Sequence, residues 1–342
     1  MLAYNDTSDW KKFPRLGAGK GLNPVLEELS LKQIDLADER FRISSPWGPL
    51  SELKESVRQV GILTPLRVQP GTATRRFRLI SGFRRCAVAA ELQIERAFAI
   101  VRPASADEKE LIAEAIYEAG AGRPLTEIEK ARAASKLVLQ FGFAREVAME
   151  KFLGFLGIRP DPYHLNRLLQ LAALPLRLQK ACDDALDCDL ALRLAKWPET
   201  SSGGFAELVD SLRLGRNKQR ELFGLMDDLA ALRGSPPAQL WEEAAGRPLG
   251  AQNMTMEKCQ QIRDRLYRLR FPVLSAYQER SRALRSELSI PPEIQISLPE
   301  NLEGSEMQLR LKVSSPAELK RLSGLLKELA EAKAFNAIFK LL

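Results

Sequence analysis

The sequence predicts a multidomain α+β protein: a small α/β unit first, an all-α middle, and a terminal β-β-α unit. Three observations carry this. Residues 25–105 alternate short β-rich runs with helical periodicity, and residues 106–288 are helical with little interruption. After Ile290-Pro291-Pro292, two alternating segments precede a leucine-striped helix. With 342 residues and 45% apolar content, each part can build a core of its own.

Residues 1–24 (ending RLGAGKGLNP) are weakly periodic and read as a flexible lead. Ile34 to Leu36 suits a short strand. Leu50, Leu53, Val57 and Val60 then fall on one helical face, and Gly61 stands where a helix C-cap favours positive φ. Residues 64–68 (TPLRV) and 76–80 (RFRLI) are β-rich runs around a GTATR turn. Gly82 precedes a helix from about Arg84 to Leu92, and residues 97–101 form another strand. In the middle region, Thr126 and Glu129 have capping-box spacing before the stripe Ile128, Ala131, Ala134. Residues 201–204 (SSGG) read as a linker or loop, and RGSPPAQ at 233–239 as a connection between helices. Residues 293–298 and 307–313 alternate apolar and polar about a turn at Gly304. The closing helix from Pro316 carries Leu319, Leu322, Leu325, Leu326 and Leu329. A unit of about fifty residues is small for a stand-alone core, so pairing with a second copy would bury that leucine face. The expected divisions are 1–24, 25–105, 106–200, 201–288 and 289–342.

Composition narrows the chemistry. Lys and Arg total 51 against 44 Asp and Glu, a formal charge of +7 that suits a polyanionic partner. His164 is the single histidine, which leaves little for triads or imidazole metal clusters. Cys86, Cys182, Cys188 and Cys259 lack C-x-x-C pairing, so no metal site and no disulfide framework is expected. No run approaches the roughly 18 apolar residues of a membrane span, and the N-terminus lacks a signal-peptide pattern. The expected location is the cytoplasm, with no membrane partner.

The stretch Ile80-Ser81-Gly82-Phe83-Arg84-Arg85 places a glycine between strand and helix. There a backbone can approach a phosphate, helix N–H groups are unpaired, and two guanidiniums add charge-assisted bonds. A strand-to-helix turn with a solvated arginine pair is the alternative. This stretch, together with Val60-Gly61-Ile62-Leu63-Thr64-Pro65-Leu66-Arg67-Val68 and the small residues Ala87, Ala89 and Ala90, resembles the N-terminal domain of the ParB partition family. The resemblance implies a CTP site with Mg2+, acting as a clamp-closing switch, built on Gly82, Arg84 and Arg85. Arg42, in a basic Arg40-Phe41-Arg42 stretch, and Arg123 would join it. Phe83 stands where the family has Glu. Ala119 stands where it has Asn, with Arg123 one place late. These departures weigh against hydrolysis and leave Glu118 as the surviving acid for a weak CTPase. The fold also resembles sulfiredoxin, whose cysteine position is here Phe83. Cys86, at a helix start beside two arginines, is either a thiol of lowered pKa or a buried structural residue.

From Leu125 the chain resembles the ParB segment leading into a helix-turn-helix. Residues 146–156 would be the first helix, 157–161 the turn and 162–173 the recognition helix, followed by a Leu-Pro helix. Leu165, Leu168, Leu169 and Leu171 face inward. Tyr163, His164, Asn166, Arg167 and Gln170, flanked by Arg159, are left for double-stranded DNA, unless this is simply the polar surface of a helical bundle. Eight basic residues against two acidic ones between Lys258 and Arg285 form either a solvated face or a phosphate-tracking surface. The last fifty residues are similar in plan to the ParB dimerisation unit. The resemblance as a whole implies a homodimeric, nucleoid-associated protein binding a centromere-like site in plasmid or chromosome partition, with a ParA-type ATPase as a further partner. A transcriptional regulator or adaptor on the same fold, without nucleotide, is the remaining alternative.

Overall fold

In the computed structural model, residues 25–71, 76–246, 255–287, 290–297 and 307–339 are described. The expected lead over 1–24, most of the GTATR turn and the turn at Gly304 lie outside the described residues. The chain divides into two compact units, one ending at Arg213 and one beginning at Leu214.

The first unit is built around a five-stranded mixed sheet. Its strands are β1 (Val25–Ser30), β2 (Ile34–Asp35), β3 (Leu66–Pro70), β4 (Phe77–Ser81) and β5 (Arg96–Val101), in the order β1-β5-β3-β4-β2. β3 runs parallel to β5 and antiparallel to β4, with Leu66 opposite Ala99 and Val68 opposite Leu79. Leu66, Val68, Leu79 and Ala99 are fully buried, and so is Ile80 next to Leu79, so β4 is covered on both faces of the sheet. β1 is an addition to the expected elements: it pairs antiparallel with β5, and of its six residues only Leu29 is buried. Helix α1 (Ser51–Val60) ends at Gly61, whose φ of 73° is the left-handed conformation its position called for. Helix α2 (Phe83–Glu91) starts directly after β4, with Gly82 between them.

Helix α3 (Glu108–Gly122) follows the sheet and closes over it. The glycines in its last turns do not unwind it. At Gly120 a side chain would run into the ring of Phe155, which packs edge-on against Tyr117 with centroids 4.6 Å apart. α4 (Glu127–Ser135) begins with the capping box of Thr126 and Glu129 and continues into a π-helical stretch, Lys136–Gln140. α5 (Arg145–Ala148) likewise continues into a π-helical stretch, Met149–Leu153. α6 (Pro162–Ala172) is capped by Asp161, whose side chain accepts from the His164 amide. α7 (Leu176–Asp184) and α8 (Cys188–Leu194) come next.

Residues 201–204 correct the sequence reading. They are not a linker but the interior of α9 (Glu199–Ser211), where Ser201, Ser202 and Gly203 are buried. A Cβ at Gly203 would collide with the Arg177 guanidinium, so the small residues let α7 and α9 pack closely. Small side chains look like loop residues in a sequence but serve equally as helix-contact residues.

The second unit holds α10 (Arg216–Arg233), α11 (Pro237–Ala245), α12 (Met256–Arg270) and α13 (Pro272–Glu287). α12 packs Cys259, Ile262 and Leu266 inward. Beyond the Ile290-Pro291-Pro292 break, β6 (Ile294–Ser297) and β7 (Gln308–Leu311) form an antiparallel pair under α14 (Pro316–Glu331). A further helix, α15 (Lys333–Phe339), packs on α13 and was not expected from the sequence. Among the described residues no helix is long and apolar enough to cross a membrane.

Candidate nucleotide site

The strand-to-helix junction at Gly82 opens onto a cavity of about 390 Å³ in the first unit. Gly82 has φ 104°, and a Cβ there would lie 2.6 Å from Leu66 Cδ2, so glycine is required both by conformation and by space. The first turn of α2 has no side-chain cap and no acidic residue, which leaves backbone N–H groups open at a helix N-terminus. Around this opening stand Arg84, Arg85, Glu118, Ala119 and Arg123. Gly82, Arg84 and Arg85 of one short motif and the distant Arg123 therefore converge on one cavity.

The three guanidiniums are not equivalent. Arg85 donates to the carbonyls of Thr64 (2.6 Å) and Pro65 (2.9 Å) and to Glu118 (2.5 Å), clamping α2 to the strand entry and to α3. Arg123 forms a two-pronged pair with the buried carboxylate of Glu129, Nη1 to Oε2 at 2.8 Å and Nη2 to Oε1. Arg84 donates one bond, to the Pro49 carbonyl at 2.7 Å. Burial and the neighbouring Arg123 charge push Arg84 below its ordinary value, against a smaller upward pull from Glu129. Two cations held close in a partly desolvated cavity favour an anion between them.

Glu129 was read from the sequence as half of a capping box only. Burial pushes its carboxyl up, but the Arg123 hydrogen bond and the amides of Ser45 and Thr126 outweigh this and hold it below the usual range. It thus fixes both Arg123 and the segment around Ser45 on the cavity wall. The i+3 spacing announced the cap; nothing local announced the contact with Ser45, which is 84 residues away. Ser44 also lines the cavity and has a buried hydroxyl without a hydrogen-bond partner.

Glu118 is the carboxylate on the cavity lining, and both its oxygens are engaged. Oε1 accepts from Arg85; Oε2 accepts from Ser81 and lies 2.8 Å from Arg67 Nε. A carboxylate held by two guanidiniums and a hydroxyl is poorly placed to take a proton from water or to hold a metal ion. The residues present therefore fit the phosphates of a nucleotide, whereas among the described residues no carboxylate is available for magnesium in this cavity.

One residue of the expected nucleotide set falls elsewhere. Arg42 is outside this cavity: it pairs with Glu39 at 2.7 Å, lies 5.7 Å from the Phe83 ring centroid, and lines a second cavity. Phe83 is buried, so in place of an acid the position supplies core packing. Cys86 is buried, and desolvation pushes its thiol up to about 12 despite Arg85 nearby, which makes it a structural residue and not a nucleophile.

On α6, Leu165, Leu168 and Leu171 are buried, while Tyr163, Asn166 and Gln170 are exposed, as is Arg159 just before the helix. His164 is half-buried, with Nδ1 2.9 Å from the Asp161 carboxylate. Asn166 accepts from Arg145. Arg167 departs from the expected set: it is bound at 2.7 Å by Glu127 and at 2.7 Å by Asp189. Burial pushes its pKa down, but these two carboxylates reverse the effect and raise it. The residue ties α6 to α4 and α8 and does not join the exposed row.

Comparison with known proteins identifies one segment of the chain. Residues 19–119 match the family model of the ParB N-terminal domain. The segment is a ParB N-terminal domain. The chain is also 32% identical over 178 residues to Stage 0 sporulation protein J of Bacillus subtilis (strain 168), covering 48% of this chain. It spans 58% of that relative's length. Among solved structures, it is similar to the C-terminally truncated chromosome-partitioning protein ParB from Caulobacter crescentus complexed with CTP-gamma-S. That match has 20% identity and a TM-score of 0.26, over 54% of this chain and 98% of the other. The same protein complexed to the centromeric parS site matches at 20% identity and a TM-score of 0.29, over 54% and 90%. A Pnob8-like ParB-N domain matches at 15% identity and a TM-score of 0.33, over 72% and 98%. The ParB N-terminal domain contributes the sheet, α1, α2 and most of α3, and hence Gly82, Arg84, Arg85 and Glu118. Arg123 and Glu129 come from beyond the matched residues.

Proposed function

We propose that the protein is a DNA-binding partition protein of the ParB type whose N-terminal domain binds CTP without efficient turnover. The convergence of Arg84, Arg85 and Arg123 on the cavity opened by Gly82 carries this reading. Triphosphate oxygens would lie against the first turn of α2, between Arg84 and Arg123, with Arg85 holding the helix in place. The nearby relatives support the choice of ligand and partner: one solved ParB is complexed with CTP-gamma-S and one with parS DNA. The engagement of Glu118 by Arg67 and Arg85 argues against a CTPase role for it.

In this reading α5, the residues after it and α6 act as the helix-turn-helix. Tyr163, His164, Asn166 and Gln170, with Arg159, contact double-stranded DNA. The protein works as a homodimer through 289–342, where Leu309, Val313 and Leu319 are exposed on the β-β-α unit. A ParA-type ATPase completes a partition system. The test is equilibrium binding of CTP to the full chain, with and without duplex DNA carrying a parS-type site. CTP should bind with GTP and ATP at least about tenfold weaker, and Arg84→Gln should weaken it. Absence of CTP binding with DNA retention intact would leave a ParB-fold regulator in its place. Absence of both would remove the proposal.

A further inference from the structure

A second cavity, of about 530 Å³, lies in the first unit between the segment 39–47 and the helical region, on residues separate from those of the CTP pocket. Its lining brings together Arg42, Arg132 and Lys136 against a single acid, Glu39. A second carboxylate, Asp183, pulls the Arg132 pKa up by its charge, while its Oδ2 accepts from Ser45 Oγ and from the Trp47 indole N–H at 2.8 Å. Arg42 places Nη1 on Glu39 at 2.7 Å, and Arg132 donates to the Ile43 carbonyl at 3.0 Å. Lys136 is held at this spot by the carbonyls of Glu39 (2.9 Å) and Arg40 (2.8 Å). Three cations, from one loop and one helix, therefore meet two carboxylates, Glu39 and Asp183, which leaves a positive surplus within a partly desolvated enclosure.

The rest of the wall is apolar or flat. Trp47 offers an indole, with Arg132 5.8 Å from its ring centroid, and Pro46, Ala172 and Leu176 complete that side. Guanidinium forks suit phosphate oxygens, and a cavity of this size exceeds what one inorganic phosphate would fill. We infer that this cavity is a second anion site, which takes a phosphorylated small molecule with its phosphates on Arg42 and Arg132, beside the charge of Lys136, and its organic part against Trp47. The three N–H groups of Lys136 are given to Glu39, Arg40 and Gln140. Its position favours a free ligand over a DNA backbone. Ala172 ends α6, whereas Arg159 precedes that helix and Tyr163 lies in its first turn, about 15 Å away along its axis.

The charges also supply a signature. Burial, then Arg132, lower the Lys136 ammonium to about 8, with Glu39 and Asp38 pulling it back up and Arg40 adding to the fall. An anion beside it favours the charged form, so binding near pH 8 takes up a proton, and affinity falls as pH rises past that value.

The probe is inorganic pyrophosphate, titrated calorimetrically into the full chain, at pH 8 in two buffers of different ionisation enthalpy. The expected result is a saturable component weakened at least about tenfold by Arg42→Gln, unchanged by Arg84→Gln, and accompanied by proton uptake. A component sensitive to Arg84→Gln reports the CTP pocket, so failure of either site is read separately. Arg132→Gln should act like Arg42→Gln; should it unfold the protein, Arg42→Gln and the proton uptake still decide. Absence of any Arg42-sensitive component would overturn the inference. So would Arg42→Gln weakening retention of random-sequence duplex DNA as much as it weakens pyrophosphate binding, because the site would then belong to a DNA phosphate.

Discussion

The cavity at Gly82 and helix α12 are both rich in arginine, but only in the cavity do the arginines converge. Along the sequence the density is greater between Lys258 and Arg285. In the structure, however, Arg263 of α12 pairs with Glu221 at 2.6 Å, Arg270 with Asp228 at 3.2 Å, and Arg268 with Glu279 at 3.5 Å. Each of these cations has its own acid: Arg263 and Arg270 tie α12 to α10, and Arg268 reaches α13, which favours paired surface charge over a phosphate-tracking face for them. The pocket draws fewer cations from α2 and the end of α3, and desolvates them next to each other. A site arises where cations converge without enough acid to neutralise them, irrespective of how many the sequence holds nearby.

This contrast can be attacked at its strongest point first. Arg123→Ala should strand the Glu129 carboxylate in the protein interior and cost about 3–5 kcal/mol of folding stability, read by urea denaturation. The Glu129→Gln second substitution should recover part of that loss. In the wild type, Glu129 has a lowered pKa, so its contribution is complete above the ordinary value of 4.5 and disappears as pH falls through the lower folded value. The Arg123→Ala protein should lack that acid-side loss. An equal effect at α12, from Arg268→Ala, would erase the distinction between the two regions.

Gly82→Ala comes next. It combines a positive φ with a clash on Leu66, so a loss of about 2–4 kcal/mol is expected, together with weaker CTP binding. On α6, Tyr163→Ala or Gln170→Ala should each reduce the preference for a specific DNA site by about 1–3 kcal/mol while leaving the urea midpoint unchanged. Arg167→Ala should do the opposite, lowering the midpoint through its lost pairs with Glu127 and Asp189. Measuring midpoint and DNA preference on the same proteins separates reading from packing. The smallest effect is Arg268→Ala, whose exposed pair should contribute no more than about 0.5 kcal/mol, with no change in the salt dependence of DNA binding.

How much of this was legible in the sequence depends on whether the signal was local. Gly61 and Gly82, the Thr126–Glu129 box, the Pro291-Pro292 break and the buried leucines of α6 are all marked by periodicity or by one residue's conformational demand. β1 was missed because an edge strand with one buried residue carries almost no alternation. The SSGG run was misread because burial of small residues depends on what packs against them, here Arg177. In the pocket, Gly82, Arg84 and Arg85 could be read from the motif and Arg123 from its approximate spacing. The removal of Arg42 to another cavity, the double engagement of Glu118 and the capture of Arg167 by two acids depend on partners dozens of residues away in sequence or on other helices.

The segment from Phe41 to Trp47 stands between the two cavities. Phe41, Ile43 and Ser44 border one; Arg42, Pro46 and Trp47 border the other. Seven residues of backbone thus serve as a shared partition, held on one side by Glu129 through the Ser45 amide and on the other by Asp183. Thermodynamic reciprocity then applies: whatever factor a ligand on one side of the partition imposes on affinity at the other, it must experience in return.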